Sequence, residues 1–445
     1  MAPATPSAAP APRPVDLYRA VWRWHFYAGL LVLPFLVLLA VTGALYLFQA
    51  EIDDYVYRDL RTVPRAAAQL PHSAVLARAG AAFPGVVASY VPAAAPGRSA
   101  QVLLRGADGA RVVVFVDPYR GKVLGSLPDK GGVSGVVRRL HSLSYFGTLA
   151  NGLIEMAAGW TILLVVSGLY LWWPRGRRGA LLLRGRPGQR VFWRDLHAVT
   201  GVYVALFLLF LAVTGMPWSV LWGAQINQWA NGSNFGYPAG VRVALPMSDE
   251  HLQHALPTAW SLRQARLPAT PTGAGAAAPI GVDRAVARFD QLGIARGYAV
   301  SLPAGPAGVY SAAVYPADLA AQRVVHIDQY TGRVLLDMGY GDYGPLGKSL
   351  EWGINVHLGQ QFGLANQLVL LAACVAIVLL CVAGGCMWWQ RRPAGGLGVP
   401  PMPADRGALK VVLAVMAVGG LLLPLVGASM LLMLALDYCL ALRRR

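Results

Sequence analysis

Charge is what this sequence has least of. Only 13% of its 445 residues are Asp, Glu, Lys or Arg, about half the roughly 25% that a soluble domain carries, so the chain cannot cover itself in water. With 56% hydrophobic residues it reads as a membrane protein. Acid is the scarcer sign: 38 Lys+Arg against 21 Asp+Glu give +17. In a soluble chain that excess would raise nucleic acid as a partner, but here the arginines gather beside apolar runs, which speaks against it. Cysteine is scarce too. Four residues cannot make a disulfide framework, and Cys374, Cys381 and Cys386 lie in one apolar run, where a thiol acts as a small hydrophobe. No Cys-x-x-Cys-His occurs, which excludes covalently attached haem.

What is abundant is long apolar sequence. A transmembrane helix needs about 20 mainly apolar residues, and five stretches supply them, at 16–50, 149–174, 195–218, 357–390 and 411–445. The C-terminal stretch 411–445 carries Gly419, Gly420 and Pro424 in its middle and suits one kinked crossing better than two short ones. The first span lacks a small-residue cleavage site and is expected to be retained, while residues 1–15, mostly Ala and Pro, read as a disordered cytoplasmic tail. The loop 175–194 holds Arg175, Arg177, Arg178, Arg184, Arg186, Arg190 and Arg194 without one acidic residue, so it is cytoplasmic by the positive-inside rule. Arg13, Arg19 and Arg23 agree, as do Arg391 and Arg392 in the linker 391–410, whereas Arg443, Arg444 and Arg445 conflict with a single last crossing. Segments 51–148 and 219–356 are then expected outside, which for a bacterial inner-membrane protein, the expected setting, means the periplasm.

The two halves resemble each other. His25, Gly29 and Ala40-Val41-Thr42-Gly43 recur as His197, Gly201 and Ala212-Val213-Thr214-Gly215 at a constant offset of 172. His141, Phe146, Gly147 and Trp172-Trp173 with Arg175 recur as His357, Phe362, Gly363 and Trp388-Trp389 with Arg391, at an offset of 216. Both outside segments end on Asp-x-Tyr-x-Gly, at Asp117 and Asp328, 211 apart. The expected fold is therefore a membrane bundle of four core α-helical spans plus a C-terminal span or spans, with two small α+β outside domains, in a tandem parallel repeat. In the second domain a helix is expected at 282–292 and strands at 298–302, 309–315 and 323–328; in the first, a helix at 74–82 and strands at 102–104 and 112–117. The Asp and Gly of each motif are read as turn residues.

Four of the eight histidines stand at matched span ends. A twofold along the membrane normal pairs His25 with His197 near the cytoplasmic face and His141 with His357 on the periplasmic side. Haem iron accepts axial imidazoles from opposite faces, with Gly29 and Gly201 clearing the path of the ring for one pair and Gly147 and Gly363 for the other. Zinc would need three or four clustered ligands, and only Glu351 and Asp195 lie near either pair. Two-ligand sites favour haem b, one per pair and non-covalent. His141 precedes its apolar run by about eight residues, roughly 12 Å if already helical.

This pattern of His-x3-Gly, Asp-x-Tyr-x-Gly and exit at Trp-Trp with arginine resembles the PepSY-associated transmembrane family, the iron-regulated membrane proteins, over roughly residues 16–395. The resemblance implies PepSY-like outside domains and four haem-ligating histidines at His25, His141, His197 and His357. It also implies a ferrisiderophore reductase type of oxidoreductase, which passes electrons to a ferric siderophore or ferric chelate in the periplasm. No Gly-x-Gly-x-x-Gly dinucleotide fingerprint is expected in the chain, so the donor is read as a quinol or a partner protein. Two regions depart from the pattern. Residues 396–445 go beyond it, and an insertion at 225–270 stands with Trp218, Trp222, Trp229 and Trp260, aromatics suited to a siderophore or to an interfacial belt, and with His251 and His254, read as surface residues. Rival readings are a permease for an iron complex, which the apolar span centres oppose, and a non-catalytic envelope protein that binds or inhibits a peptidase, which leaves the histidines without a role.

Overall fold

The computed structural model describes residues 17–173, 181–232, 245–270, 278–401 and 406–442. The expected tail, Arg13, Arg175, Arg177, Arg178 and the last three arginines fall outside these. In chain order the helices and strands are α1 (Leu17–Leu47), α2 (Gln49–Val56), α3 (Arg58–Arg61), α4 (His72–Ala82), β1 (Val86–Val91), β2 (Ala100–Arg105), β3 (Arg111–Val116), β4 (Val123–Pro128), α5 (Gly132–His141), α6 (Thr148–Trp172), α7 (Arg190–Gly215) and α8 (Leu221–Gly232). There follow β5 (Met247–His251), α9 (Leu252–Ala255), β6 (Arg266–Pro268), α10 (Gly281–Gln291), β7 (Ala299–Ser301), β8 (Val309–Val314), β9 (Arg323–Asp328), β10 (Val334–Gly339), α11 (Pro345–His357), α12 (Leu364–Arg391), α13 (Arg406–Leu422) and α14 (Pro424–Leu442). Among the described residues four helices, at Leu17–Leu47, Thr148–Trp172, Arg190–Trp218 and Leu364–Arg391, are long and apolar enough to cross a membrane. The chain is a membrane protein. It divides into two compact units, one of residues 1–40, 152–213 and 375–445, the other of 41–151 and 214–374.

In the first unit, Ala20, Ala28 and Val32 of α1 pack with Met156, Ala157 and Trp160 of α6 and with Val412, Met416, Val426 and Met430 of the C-terminal helices. Small residues let helix backbones approach where lipid supplies no hydrophobic drive between them. The C-terminal stretch corrects the expectation of one kinked crossing. It is broken at Leu423, and α14 folds back on α13: a Cβ added to Gly420 would lie 2.8 Å from Cα of Gly427, whereas residues seven apart in a continuous helix are separated by about 10.5 Å. Pro424 ends the first helix and the two glycines permit the close return.

The second unit corrects a larger expectation. The outside segments are not two separate α+β domains in which each sheet stands alone: their strands form one eight-stranded antiparallel sheet in the order β10-β9-β8-β7-β1-β2-β3-β4. The junction is β1 against β7, with Tyr90 opposite Val300. Each half-sheet would otherwise expose an unpaired edge, and pairing the edges satisfies both. Helices α4 and α10 cover one face together, Val75, Ala79, Val286 and Phe289 meeting Tyr90, Val102, Val114, Val300 and Val325 in a single core. On the other face the insertion lays Leu252, Leu256, Leu262 and Leu267 against Ala299, Val309, Ala313 and Val324. Strand β8 is therefore buried at all six positions, where period-2 alternation is lost because both faces are covered.

The turn chemistry follows the sequence. Asp117 Oδ1 accepts the backbone N–H of Tyr119 at 2.8 Å and of Arg120 at 3.2 Å, Asp328 Oδ1 those of Tyr330 at 2.9 Å and Thr331 at 2.7 Å, and Gly121 and Gly332 close the turns at φ 68° and 70°. Against expectation the chain does contain a Gly-x-Gly-x-x-Gly run, Gly339-Tyr340-Gly341-Asp342-Tyr343-Gly344, with the spacing of a dinucleotide loop. It follows an antiparallel strand and is closed by Asp342 Oδ2, which accepts the Gly339 N–H at 2.8 Å. The parallel βαβ setting of a dinucleotide site is not there.

Inside the sheet, His326 stands opposite Ser311 and its Nδ1 lies 2.6 Å from Ser311 Oγ. Burial pulls this imidazole down to about 3 from 6.5. Unfolding lets it take up a proton whenever the pH is below about 6.5, so stability is lost as pH falls between 6.5 and 3. From pH 6.5 to 5 the loss should be roughly 2 kcal/mol. Hydrogen exchange of β8 and β9, corrected for intrinsic rate, should show that loss of protection; pH-independent protection would contradict it.

Candidate functional site

Each of the four paired histidines is held by the same means: a neighbouring helix offers a hydrogen-bonding partner to Nδ1 and a glycine beneath the ring. In the first unit, His25 of α1 has Nδ1 2.8 Å from Ser167 Oγ of α6. The Ser167 hydroxyl donates to Leu163 O at 2.7 Å, so its lone pairs face the imidazole and Nδ1 carries the proton. The next residue, Gly168, lies under the ring, and a Cβ there would sit 3.2 Å from His25 Cε1. His197 of α7 donates from Nδ1 to Leu380 O of α12 at 3.0 Å, a carbonyl that can only accept, and Gly384 lies beneath at 3.3 Å. Both rings therefore present Nε2 as the lone-pair nitrogen. Ala383 stands where α6 has Ser167, 216 residues earlier, which is why the second copy uses the bare carbonyl.

His25 and His197 interact electrostatically and line one cavity of about 710 Å³, within the range of roughly 300–1,000 Å³ for small-molecule and cofactor sites. Its wall is apolar, with Leu33, Leu164 and Leu169, and its mouth is basic, with Arg190, Arg194 and Arg391. Arg391 stacks over Trp22 at 4.8 Å and Phe26 at 5.2 Å. Asp195, two residues before His197, is 5% exposed and accepts Arg184 Nε at 2.8 Å and Arg194 Nη2 at 2.7 Å, tying the basic loop to the start of α7. Gly29 and Gly201 also line the cavity. A Cβ on Gly29 would meet nothing within 4 Å, and one on Gly201 would touch Leu380 at 3.5 Å.

In the second unit, His141 ends α5 and His357 ends α11. Thr42 Oγ1 lies 2.9 Å from His141 Nδ1 and Thr214 Oγ1 2.8 Å from His357 Nδ1, and the following Gly43 and Gly215 leave Cβ distances of 3.5 and 3.7 Å to the respective Cε1 atoms. His141 and His357 interact electrostatically, and the Trp218 ring stands edge-on to His357 at 6.1 Å. Neither histidine lies on a continuous helix into its span. Gly147 at φ 91° and Gly363 at φ 55° turn the chain before α6 and α12 begin, which accounts for both glycines by backbone geometry. Among the described residues no three His, Cys, Asp or Glu side chains cluster as a metal site, so these remain two-histidine arrangements. His251 and His254 are T-stacked at 5.9 Å, and His254 lies 3.4 Å from Glu250.

The sequence reading missed Ser167, Gly168 and Gly384, and it saw Thr42-Gly43 and Thr214-Gly215 as a repeat without a role. One signal was available: Gly168 and Gly384 differ by 216, the offset of the histidines that end α5 and α11.

Gly29 and Gly168 separate cavity from scaffold. Replacing Gly29 by Leu adds a side chain into open space and removes a helix glycine worth about 0.8–1 kcal/mol, so thermal unfolding should be unchanged or slightly later while any cofactor filling the cavity is lost. Gly168→Leu should displace His25 and lower both. A full cofactor complement in Gly29→Leu would show that nothing binds there.

Family comparison adds one positive finding. The model of the PepSY-associated TM region matches residues 22–391, and a comparison with the curated proteins finds no match. The matched span takes in all four paired histidines and the sheet between them in sequence, and the chain belongs to the PepSY-associated TM family.

Proposed function

We propose that the chain is a transmembrane oxidoreductase that carries two non-covalent b-type haems, one between His25 and His197 and one between His141 and His357, and that it reduces a ferric siderophore or similar ferric chelate on the periplasmic side. The observation that carries this reading is the matched fixation of the imidazoles, with the first pair facing a cavity of about 710 Å³. The residues fit the group. Bonded at Nδ1, each ring offers Nε2 to a metal, and such outer partners set ring orientation and ligand basicity. Leu33, Leu164 and Leu169 would exclude water from the flat macrocycle, and Arg190 and Arg391 at the mouth would meet its propionates. Bound haem supplies one-electron redox chemistry at iron. The electron donor in this reading is a quinol or a partner protein in the bilayer or cytoplasm.

The orientation belongs to the same reading. The loop with Arg184, Arg186, Arg190 and Arg194 is cytoplasmic, as are Arg391 and Arg392, and the eight-stranded sheet is periplasmic. In this reading the fold-back of α14 on α13 returns the chain to the side it entered from. The recurrence of α4-β1-β2-β3-β4-α5 as α10-β7-β8-β9-β10-α11 supports a tandem repeat in which both halves supply equivalent ligands.

Haem quantified per chain, with oxidised and dithionite-reduced spectra, tests the reading. Two haems are expected, His197→Ala should leave one, and retention of both by each of the four single His→Ala variants would refute the ligand assignment. Thr214→Val removes only the hydroxyl beside His357 and should weaken haem retention at that site by roughly 10–100-fold. Equal retention would mean the threonine has no orienting role.

A further inference from the structure

A second cavity, of about 280 Å³, lies in the unit that contains His357, lined by Trp218, Trp260, Asn227, Gln253, Arg263 and Gln264. Trp218 is also the residue that stands edge-on to the His357 ring, so one wall of this cavity touches a paired histidine. The lining around Trp260 is held in place by buried hydrogen bonds. Trp260 Nε1 donates to Pro217 O at 2.9 Å, and the turn that starts at Trp260 is pinned by Glu351, a carboxylate with 0% exposure, which accepts both the N–H and the hydroxyl of Ser261 at 2.7 Å and the Tyr315 hydroxyl. Arg263 follows directly. Among the described residues its guanidinium makes no hydrogen bond and no ion pair. Burial pulls its pKa below the ordinary guanidinium value, with the Glu351 charge opposing that shift and Arg138 adding to it. A partly desolvated guanidinium with no hydrogen-bond acceptor is unfavourable, and an arriving carboxylate would relieve it with bidentate, charge-assisted bonds.

We propose that this cavity is the binding site for the electron acceptor, a compact carboxylate-bearing ferric chelate, with Arg263 on its carboxylates and Trp218 and Trp260 against its carbon skeleton. This deepens the reductase reading and rests on it. The volume, close to the lower end of the usual range of about 300–1,000 Å³, selects a small chelate over a large macrocyclic one. Each bound Fe(III) takes one electron and becomes Fe(II), the electron coming from the quinol or protein donor of that reading, and the carboxylates stay deprotonated throughout.

Gallium(III) citrate is a redox-silent probe of the same charge and shape as iron(III) citrate. Equilibrium dialysis of radiogallium citrate against the full-length haem-loaded protein in detergent should show saturable binding. Arg263→Gln should weaken it at least tenfold. Gln253→Glu, at an exposed rim position, should weaken it as well by setting a carboxylate against the anion, and it guards against misfolding of the first variant. Unchanged haem spectra confirm that both variants fold. Equal binding by all three proteins, or no saturable binding by the unsubstituted one, would overturn the proposal. Oxidation of the dithionite-reduced protein by iron(III) citrate reports the reductase reading alone. Rapid oxidation without Arg263-dependent binding would overturn the pocket and spare the reading. Arg263-dependent binding without oxidation would overturn the reading and, with it, the assignment of the bound anion as an electron acceptor.

Discussion

A histidine ring held by its neighbouring helix, through a partner at Nδ1 and a glycine close against the ring, is the constraint from which the other features follow. An imidazole on an open helix face is free to rotate about two side-chain bonds. Here Ser167, Leu380, Thr42 or Thr214 bonds Nδ1, and Gly168, Gly384, Gly43 or Gly215 lets the ring lie close to the backbone. The bond chooses the rotamer. In the first pair it also chooses the tautomer, because Leu380 O can only accept and the Ser167 proton is already committed to Leu163. Four such arrangements at equivalent positions of two half-sequences would be a costly way to place ordinary polar residues beside lipid.

The remaining architecture serves that placement. Helices α5 and α11 end on a histidine and then reverse through a positive-φ glycine, so the turns that carry His141 and His357 are set by the helices before α6 and α12 and not by those long helices themselves. Glu351 lies on α11 six residues before His357 and holds Ser261 of the insertion. The insertion in turn closes one face of the sheet through Leu252, Leu262 and Leu267. A change at Ser261 therefore bears on the helix that carries His357.

Much of this was legible in the residues. Apolar length gave the four helices long enough to cross a membrane, constant offsets pointed to the two histidine pairs, and Asp-x-Tyr-x-Gly gave two turns whose geometry the structure repeats. Pairing of β1 with β7 was not legible, because it joins Tyr90 to Val300 across more than two hundred residues and no local pattern encodes which edge meets which. The fold-back of α14 on α13 was hidden because Gly419, Gly420 and Pro424 are equally compatible with a kink. The glycines under the rings were obscured by an apolar background. Gly168 and Gly384 stand inside spans where small residues are common, while the more visible Gly147 and Gly363 turned out to shape backbone.

The most direct test of the central claim is iron-edge anomalous diffraction from crystals of the protein purified with its native cofactors. Two iron peaks are predicted, one within bonding distance of Nε2 of His25 and of His197, the other of Nε2 of His141 and of His357. Iron at neither position, or iron bound through any other side chains, would contradict the account.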